Sequence, residues 1–246
     1  MCELRIGVVG AGVMGSGIAQ VTACAGYPTV CVDVDSTALA RARANVTTGR
    51  YGIDRAVERG KLTREEADAA WARLQFSTSL DAAADADLVI EAIPERFDLK
   101  IQLFRQLDDL APTSTILASN TSGFSIGAIG TATNCPARVI GWHWASPAPV
   151  MRFAEIVRAA TTSDETIERV CEVAKACGKN PIVVNDIDTK WGFVANRIYA
   201  AVIDEAKRVV DDGVATPEQV DQLMTDCFGW PAGPYAMIRG ATEGWT

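Results

Sequence analysis

Histidine is almost absent: the chain of 246 residues carries one, His143. A site built from several histidines is excluded, and any imidazole acid–base chemistry falls on that residue. Cations are outnumbered, 23 Lys plus Arg against 31 Asp plus Glu, for a net charge of −8, and no Lys/Arg-rich run occurs. That argues against a nucleic-acid partner, which needs clustered cations to displace counterions. The seven cysteines (Cys2, Cys24, Cys31, Cys135, Cys171, Cys177 and Cys227) include no C-x-x-C pair, so zinc ribbons and thioredoxin-like motifs are not expected. Odd in number and irregular in spacing, they read as small hydrophobes in a reducing cytosol. No apolar run reaches the roughly 18 residues of a membrane span. The opening MCELRIGVVGAG lacks a charged-then-apolar signal layout,. Internal repeats and low-complexity linkers are missing as well. The expectation is a soluble, cytoplasmic protein with no membrane partner. Its 48% apolar and 22% charged residues suffice for a packed core, in one large domain or two smaller ones.

What is present alternates. LRIGVV, PTVCVDVD, QFSTS, ADLVIEAI, TILASN, RVIGWHW, RFAEIV and PIVVN read as strands, most of them separated by segments of helical period,. Ser36 is placed to cap the second helix, and Thr63 with Glu66 matches a capping box,. Helices are expected over about 96–110 and 165–177. The alternation predicts an α/β fold: a Rossmann-type, doubly wound, mainly parallel sheet covered on both faces. Beyond Asp188 the strands stop and two long helical patterns follow. The expected division is 1–187 for the Rossmann-type sheet domain and 188–246 for a small all-α domain.

Gly10, Gly12 and Gly15 stand in GAGVMG, between the first strand and the first helix. A lone G-x-G-x-x-G is weak, but here a strand precedes it, a helix follows, and an acid ends the second strand. The first glycine allows the tight turn, the second admits a pyrophosphate, and the third lets helix and strand pack closely. Val13 and Met14 sit between them at the helix N-terminus, whose N–H groups favour an anion. Asp33, 23 positions after Gly10, is where a carboxylate takes a ribose 2′-hydroxyl; it would repel a 2′-phosphate, so NAD is expected rather than NADP.

His143 ends a strand, and Glu155 lies on the next one past a short Pro-rich turn. The two can face each other. A carboxylate on one ring nitrogen fixes the tautomer and stabilises the imidazolium, as a base accepting an alcohol proton requires. Taken alone, each also fits a blander role: a satisfied core histidine, and a strand-edge carboxylate in solvent.

The segments GAGVMGSGIAQ, DLVIEAIPE, ILASNTS, GWHWASPAPVMRFAEIV, GFVANRI and GWPAGPY are spread over almost the whole chain. In these the chain resembles the 3-hydroxyacyl-CoA dehydrogenase family, 3-hydroxybutyryl-CoA dehydrogenases included. The resemblance implies an NAD-dependent oxidoreductase of 3-hydroxyacyl thioesters, with His143 as base and Glu155 as its partner. It implies that Ser122 contacts substrate and cofactor, and that Asn196 holds the substrate carbonyl from the helical domain, in an interdomain cleft. Glu95 and Lys100 map onto cofactor contacts. Without the family, Ser122 reads as a turn residue and Asn196 as a cap. For the CoA moiety, Gly52 stands at a family serine and Arg59 at a basic position.

Three departures stand out. The family's His-Phe-Phe-Asn-Pro is here His143, Trp144, Ala145, Ser146 and Pro147; Ser146 replaces a cofactor-contacting Asn with a shorter side chain. The family's Asp-Thr-Pro-Gly-Phe becomes Asp188, Thr189, Lys190, Trp191, Gly192 and Phe193. Loss of the rigid proline is expected to reshape the turn, and Lys190 either brings a cation towards substrate or stays solvated. The helical part is short for the family. Its uncovered apolar faces, such as FVANRIYAAVI, imply a homodimer. An acyl carrier protein in place of CoA, a free hydroxy acid as substrate, and a non-catalytic dinucleotide-binding module stay open as alternatives.

Overall fold

The computed structural model describes residues 4–187 and 190–243. Asp188 and Thr189, part of the altered linker, lie outside the described residues. The chain divides into two compact units, Met1–Trp191 and Gly192–Thr246.

The first unit is one eight-stranded sheet with helices. In chain order it runs β1 (Ile6–Val9), α1 (Val13–Cys24), β2 (Thr29–Val32), α2 (Ser36–Thr48), α3 (Ile53–Glu58), α4 (Arg64–Arg73) and β3 (Leu74–Ser77). Then come α5 (Leu80–Ala84), β4 (Leu88–Glu91), α6 (Phe97–Leu110), β5 (Ile116–Ser119) and α7 (Ile126–Gly130). A 3-10 turn at Pro136–Arg138 leads to β6 (Val139–Trp144), β7 (Phe153–Arg158), α8 (Asp164–Ala176) and β8 (Asn180–Asn185). The strand order is β3-β2-β1-β4-β5-β6-β7-β8. Among the described residues only β6 and β7 pair antiparallel.

The central strands IGVV, LVIE and ILAS are buried at every residue. Strands covered on both faces lose the in–out alternation and read as continuous apolar runs. One charged residue breaks that rule, Glu91 at the end of β4. Helix α1 is buried from Gly15 through Ala23. Its small residues let it lie close on the sheet, which aims its N-terminus at the β1 turn. Helix α6 is the amphipathic case: Leu103, Phe104 and Leu107 pack inward, and one charged residue, Lys100, is buried with them,.

The Thr63–Glu66 capping box forms as expected, both reciprocal bonds present. The second helix differs by one residue: Asp35 caps α2, its carboxylate accepting from the Thr37 N–H, and Ser36 is the first helical residue. An Asp at that place satisfies an orphan N–H and places charge at the helix's positive end. β2 stops at Val32, which leaves Asp33 just beyond the strand.

The second unit is helical: α9 (Val194–Asp211), α10 (Pro217–Phe228) and α11 (Pro234–Glu243). Thr216 closes a capping box with Gln219 at the start of α10. Asp221 on α10 accepts from the Tyr235 and Ala236 N–H groups and so caps α11. Among the described residues no helix is long and apolar enough to cross a membrane.

Candidate active site

β1, β4, β5 and β6 are adjacent and parallel, so their C-terminal ends share one edge of the sheet. The sheet reverses direction at β1/β4, and a crevice at such a point is where open α/β sheets take ligands. Most of the residues singled out from the sequence in this unit fall into three groups there.

The first is the glycine turn. Gly10 has φ 104°, and a Cβ on it would meet the Ala92 carbonyl oxygen at 2.5 Å. A Cβ on Gly15 would sit 1.7 Å from the Gly10 carbonyl oxygen. These two positions admit only glycine, for conformation at the first and for contact at both. Gly12 has open space where its Cβ would be, which is the side from which a pyrophosphate can approach the backbone. Asp33 holds the turn: its Oδ2 accepts from the Ala11 N–H at 2.7 Å and its Oδ1 from the Asp35 N–H at 2.9 Å. Gly10, Gly12, Val13, Met14 and Asp33 all line one cleft of about 780 Å³, mostly apolar, with Ala38, Leu99 and Leu103 on its walls. Its size suits a nucleoside. The open Gly12 face, the α1 N-terminus and Asp33 together fit a dinucleotide with a free ribose 2′-hydroxyl. Asp33→Ser is expected to weaken NADH binding about tenfold or more, the value of a charge-assisted hydrogen bond. It is also expected to narrow the preference for NADH over NADPH, and titration of nucleotide fluorescence measures both.

The second group surrounds a buried ion pair. Lys100 Nζ lies 2.5 Å from Glu91 Oε1, with side chains only 1% and 0% exposed. The other Glu91 oxygen accepts from the Ser119 hydroxyl at 2.6 Å, and the Ile93 N–H donates to the first. Lys100 also pairs with Glu95 at 3.2 Å. Glu95 Oε1 in turn accepts from the Thr121 hydroxyl at 2.5 Å and from the Ser122 N–H at 2.9 Å. Lys100 is thus beneath the surface, held between Glu91 and Glu95. The Glu95 carboxylate also fixes the backbone of Ser122. Burial pushes the Glu91 carboxyl up, against the pull of Lys100 and its other hydrogen bonds.

The third group is the histidine pair. His143 and Glu155 are directly opposite in the antiparallel β6–β7 register, so both side chains leave the same face. His143 Nδ1 and Glu155 Oε2 are 2.8 Å apart, and both residues are buried. With the Nδ1 proton donated to the carboxylate, Nε2 carries the lone pair. Phe153 packs edge-on against the imidazole, ring centroids 5.3 Å apart. On the opposite face of β6, Trp142 and Trp144 stack at 4.7 Å. Asn120, just after β5, accepts from the Trp144 N–H at 2.9 Å and so ties the histidine strand to its neighbour.

Ser146 and Lys190 are exposed, and Asn196 is half-buried in the first turn of α9. Arg59 lies outside the dinucleotide cleft, on the wall of a separate cavity of about 470 Å³. Glu91, Thr121 and Asn120 support the site, and none of them was singled out in the sequence beyond lying in the segments DLVIEAIPE and ILASNTS. Glu91 alone had a signal: a carboxylate inside the apolar run LVIEAI needs a buried partner, and Lys100 follows nine residues on.

The comparisons agree with this arrangement. Residues 5–187 match the model of the 3-hydroxyacyl-CoA dehydrogenase NAD binding domain, and residues 192–244 that family's C-terminal domain. A relative from Bacillus subtilis, described as a probable 3-hydroxybutyryl-CoA dehydrogenase, is 42% identical over 95% of this chain and 79% of its own length. The human mitochondrial hydroxyacyl-coenzyme A dehydrogenase is 34% identical over 95% of this chain and 74% of its own. The crystal structure of (S)-3-hydroxybutyryl-CoA dehydrogenase from Ralstonia eutropha superposes with a TM-score of 0.90 at 39% identity, covering 96% of this chain and 81% of that one. With a dinucleotide turn, a paired histidine and both family domains in order, the chain belongs to the 3-hydroxyacyl-CoA dehydrogenase family and is an NAD-dependent oxidoreductase.

Proposed function

We propose that this chain interconverts a 3-hydroxyacyl thioester of CoA and the 3-ketoacyl thioester, with His143 as the general acid–base. The observation that carries this reading is the 2.8 Å contact between His143 Nδ1 and Glu155 Oε2, at the strand end next to the dinucleotide crevice. NAD, when bound, takes up or returns the hydride. The protein's part is the proton. In oxidation, His143 Nε2 accepts the hydroxyl proton, and Glu155 stabilises the imidazolium that results. In reduction, the same imidazolium returns the proton to the carbonyl oxygen. Ser122, held by Glu95, donates to the reacting oxygen. Asn196 orients the thioester end of the substrate. Val194, Ile198 and Tyr199 on α9, and Leu223 and Phe228 on α10, are exposed apolar side chains; a homodimer that covers them is the assembly we infer.

CoA is favoured as the carrier by the cavity at Arg59. Its described lining includes Arg59, Lys61, Arg152 and Lys179 and no carboxylate, although the chain as a whole carries −8. A cluster of one sign in a concave wall focuses field and draws an anion. Gly52 also lines this cavity. Lys190, exposed on the linker, is a further candidate cation for the same role. The test compares NADH oxidation with acetoacetyl-CoA, acetoacetyl-pantetheine, an acetoacetyl carrier protein and free acetoacetate. The reading expects the highest kcat/KM with the CoA ester. It also expects Arg59→Glu to raise the KM of that ester about tenfold, the loss of ~1.4 kcal/mol, while the pantetheine ester is unaffected. Equal efficiency with the carrier protein, or turnover of the free acid alone, would overturn it.

A further inference from the structure

Lys179, the residue just before β8, has a role that none of the catalytic groups explains. It is 6% exposed, and among the described residues no carboxylate pairs with its ammonium. Instead Nζ donates to two main-chain carbonyls, Ala148 O at 2.6 Å and Met151 O at 2.7 Å. It also lies 5.0 Å from the centre of the Trp144 ring, within cation–π range. Both carbonyls belong to the turn that joins β6 to β7. That turn is closed on itself by Pro147, whose carbonyl accepts from the Val150 and Met151 N–H groups. Its far end is tied to the residue after Lys179, because the Asn180 N–H donates to the Arg152 carbonyl.

A buried ammonium with no counter-ion is unfavourable, and burial draws its pKa down from the usual lysine value,. A methionine of similar length would avoid that cost. What the ammonium achieves is geometric. The turn carries Ser146, and its Pro149 and Val150 form one wall of the cavity whose other wall holds Arg59 and Lys61. Three donors and no acceptor suit a lysine to hold two carbonyls at once.

We propose that Lys179 is a positioning residue for the thioester carrier: its ammonium pins the β6–β7 turn and thereby sets the width of the cationic cavity. This rests on reading that cavity as the carrier's. The dinucleotide cleft shares no lining residue with the pinned turn. Loss of the pin is therefore expected to act mainly on the thioester, and on the cofactor only through Ser146, which the turn carries exposed and outside that cleft.

The experiment uses the whole chain with Lys179→Met. The expected result is a KM for acetoacetyl-CoA raised about tenfold, with kcat and the Kd for NADH each within about twofold of the parent. Hydrogen exchange at the Val150 and Met151 amides is expected to accelerate, while the β6 and β7 ladder amides keep their protection. An unchanged KM overturns the proposal. So does a raised KM with unchanged exchange in the turn, which would leave Lys179 a charge and no clamp. If the Met variant does not fold, Lys179→Gln carries the same readouts, since its amide can hold one carbonyl; the expected KM rise is then about threefold, and no rise overturns the proposal. Should Arg59→Glu leave the KM untouched, the cavity assignment fails by itself, and the exchange measurement still decides whether the turn is pinned.

Discussion

His143→Asn is expected to lower kcat for acetoacetyl-CoA reduction by about 10² to 10⁴, the usual worth of a positioned acid–base group. That corresponds to roughly 3–5 kcal/mol of barrier. Asparagine is the informative replacement because its amide nitrogen falls near the place of Nδ1. It can still donate to Glu155, so the buried carboxylate keeps a partner. What it lacks is the second nitrogen, the one that exchanges the substrate proton. NADH binding is expected to stay within about twofold, because His143 does not line the dinucleotide cleft,. Steady-state kinetics with a parallel NADH titration checks both halves. A variant retaining parental kcat removes His143 from the chemistry.

Lys100→Met is expected to cost about 3–5 kcal/mol of folding stability near neutral pH, the price of stranding one member of a buried ion pair. Glu91 would then be left fully buried, still bonded to Ser119 and the Ile93 N–H but without its cation. Its carboxyl is already pushed up by burial, with Lys100 the chief opposing influence. Removing that influence raises it further. A carboxyl whose folded pKa lies above its unfolded value, ~4.3, takes up a proton more readily in the folded state. The stability deficit is therefore full above the folded pKa. It shrinks as pH falls through that pKa towards the unfolded value. Urea unfolding of parent and variant at neutral and mildly acidic pH measures this; a deficit that grows on acidification contradicts it. Because Lys100 also holds Glu95, and Glu95 holds the Ser122 N–H, the variant is expected to lose activity as well.

The parts legible in the sequence were those with a local cause. The glycine turn and the capping box at Thr63 are short-range patterns, and each forms as read; Asp33 stands just past β2, where its carboxylate accepts from the Ala11 N–H. The facing of His143 and Glu155 was also legible, because two strands joined by a short turn must pair antiparallel. Short helices were missed. α5 and α7 are five residues each, too brief for a period to show. α11 opens in a Pro- and Gly-rich stretch and takes its cap from Asp221 on another helix, a signal that does not lie in its own residues. The support beneath the site was the least visible part. Lys100, which the resemblance maps onto a cofactor contact, is buried because Glu91, at the end of the neighbouring strand, needs a cation. Lys179 carries no motif, and only the folded turn reveals the carbonyls it holds.

The central claim is that this chain moves a hydride and a proton between NADH and a 3-ketoacyl thioester of CoA, with His143 handling the proton. The most direct test mixes the purified protein with NADH and acetoacetyl-CoA and quantifies products. The account predicts 3-hydroxybutyryl-CoA formed in equal amount to the NADH consumed, with both rates collapsing together in His143→Asn. NADH that binds but is not consumed by any 3-ketoacyl thioester would contradict it.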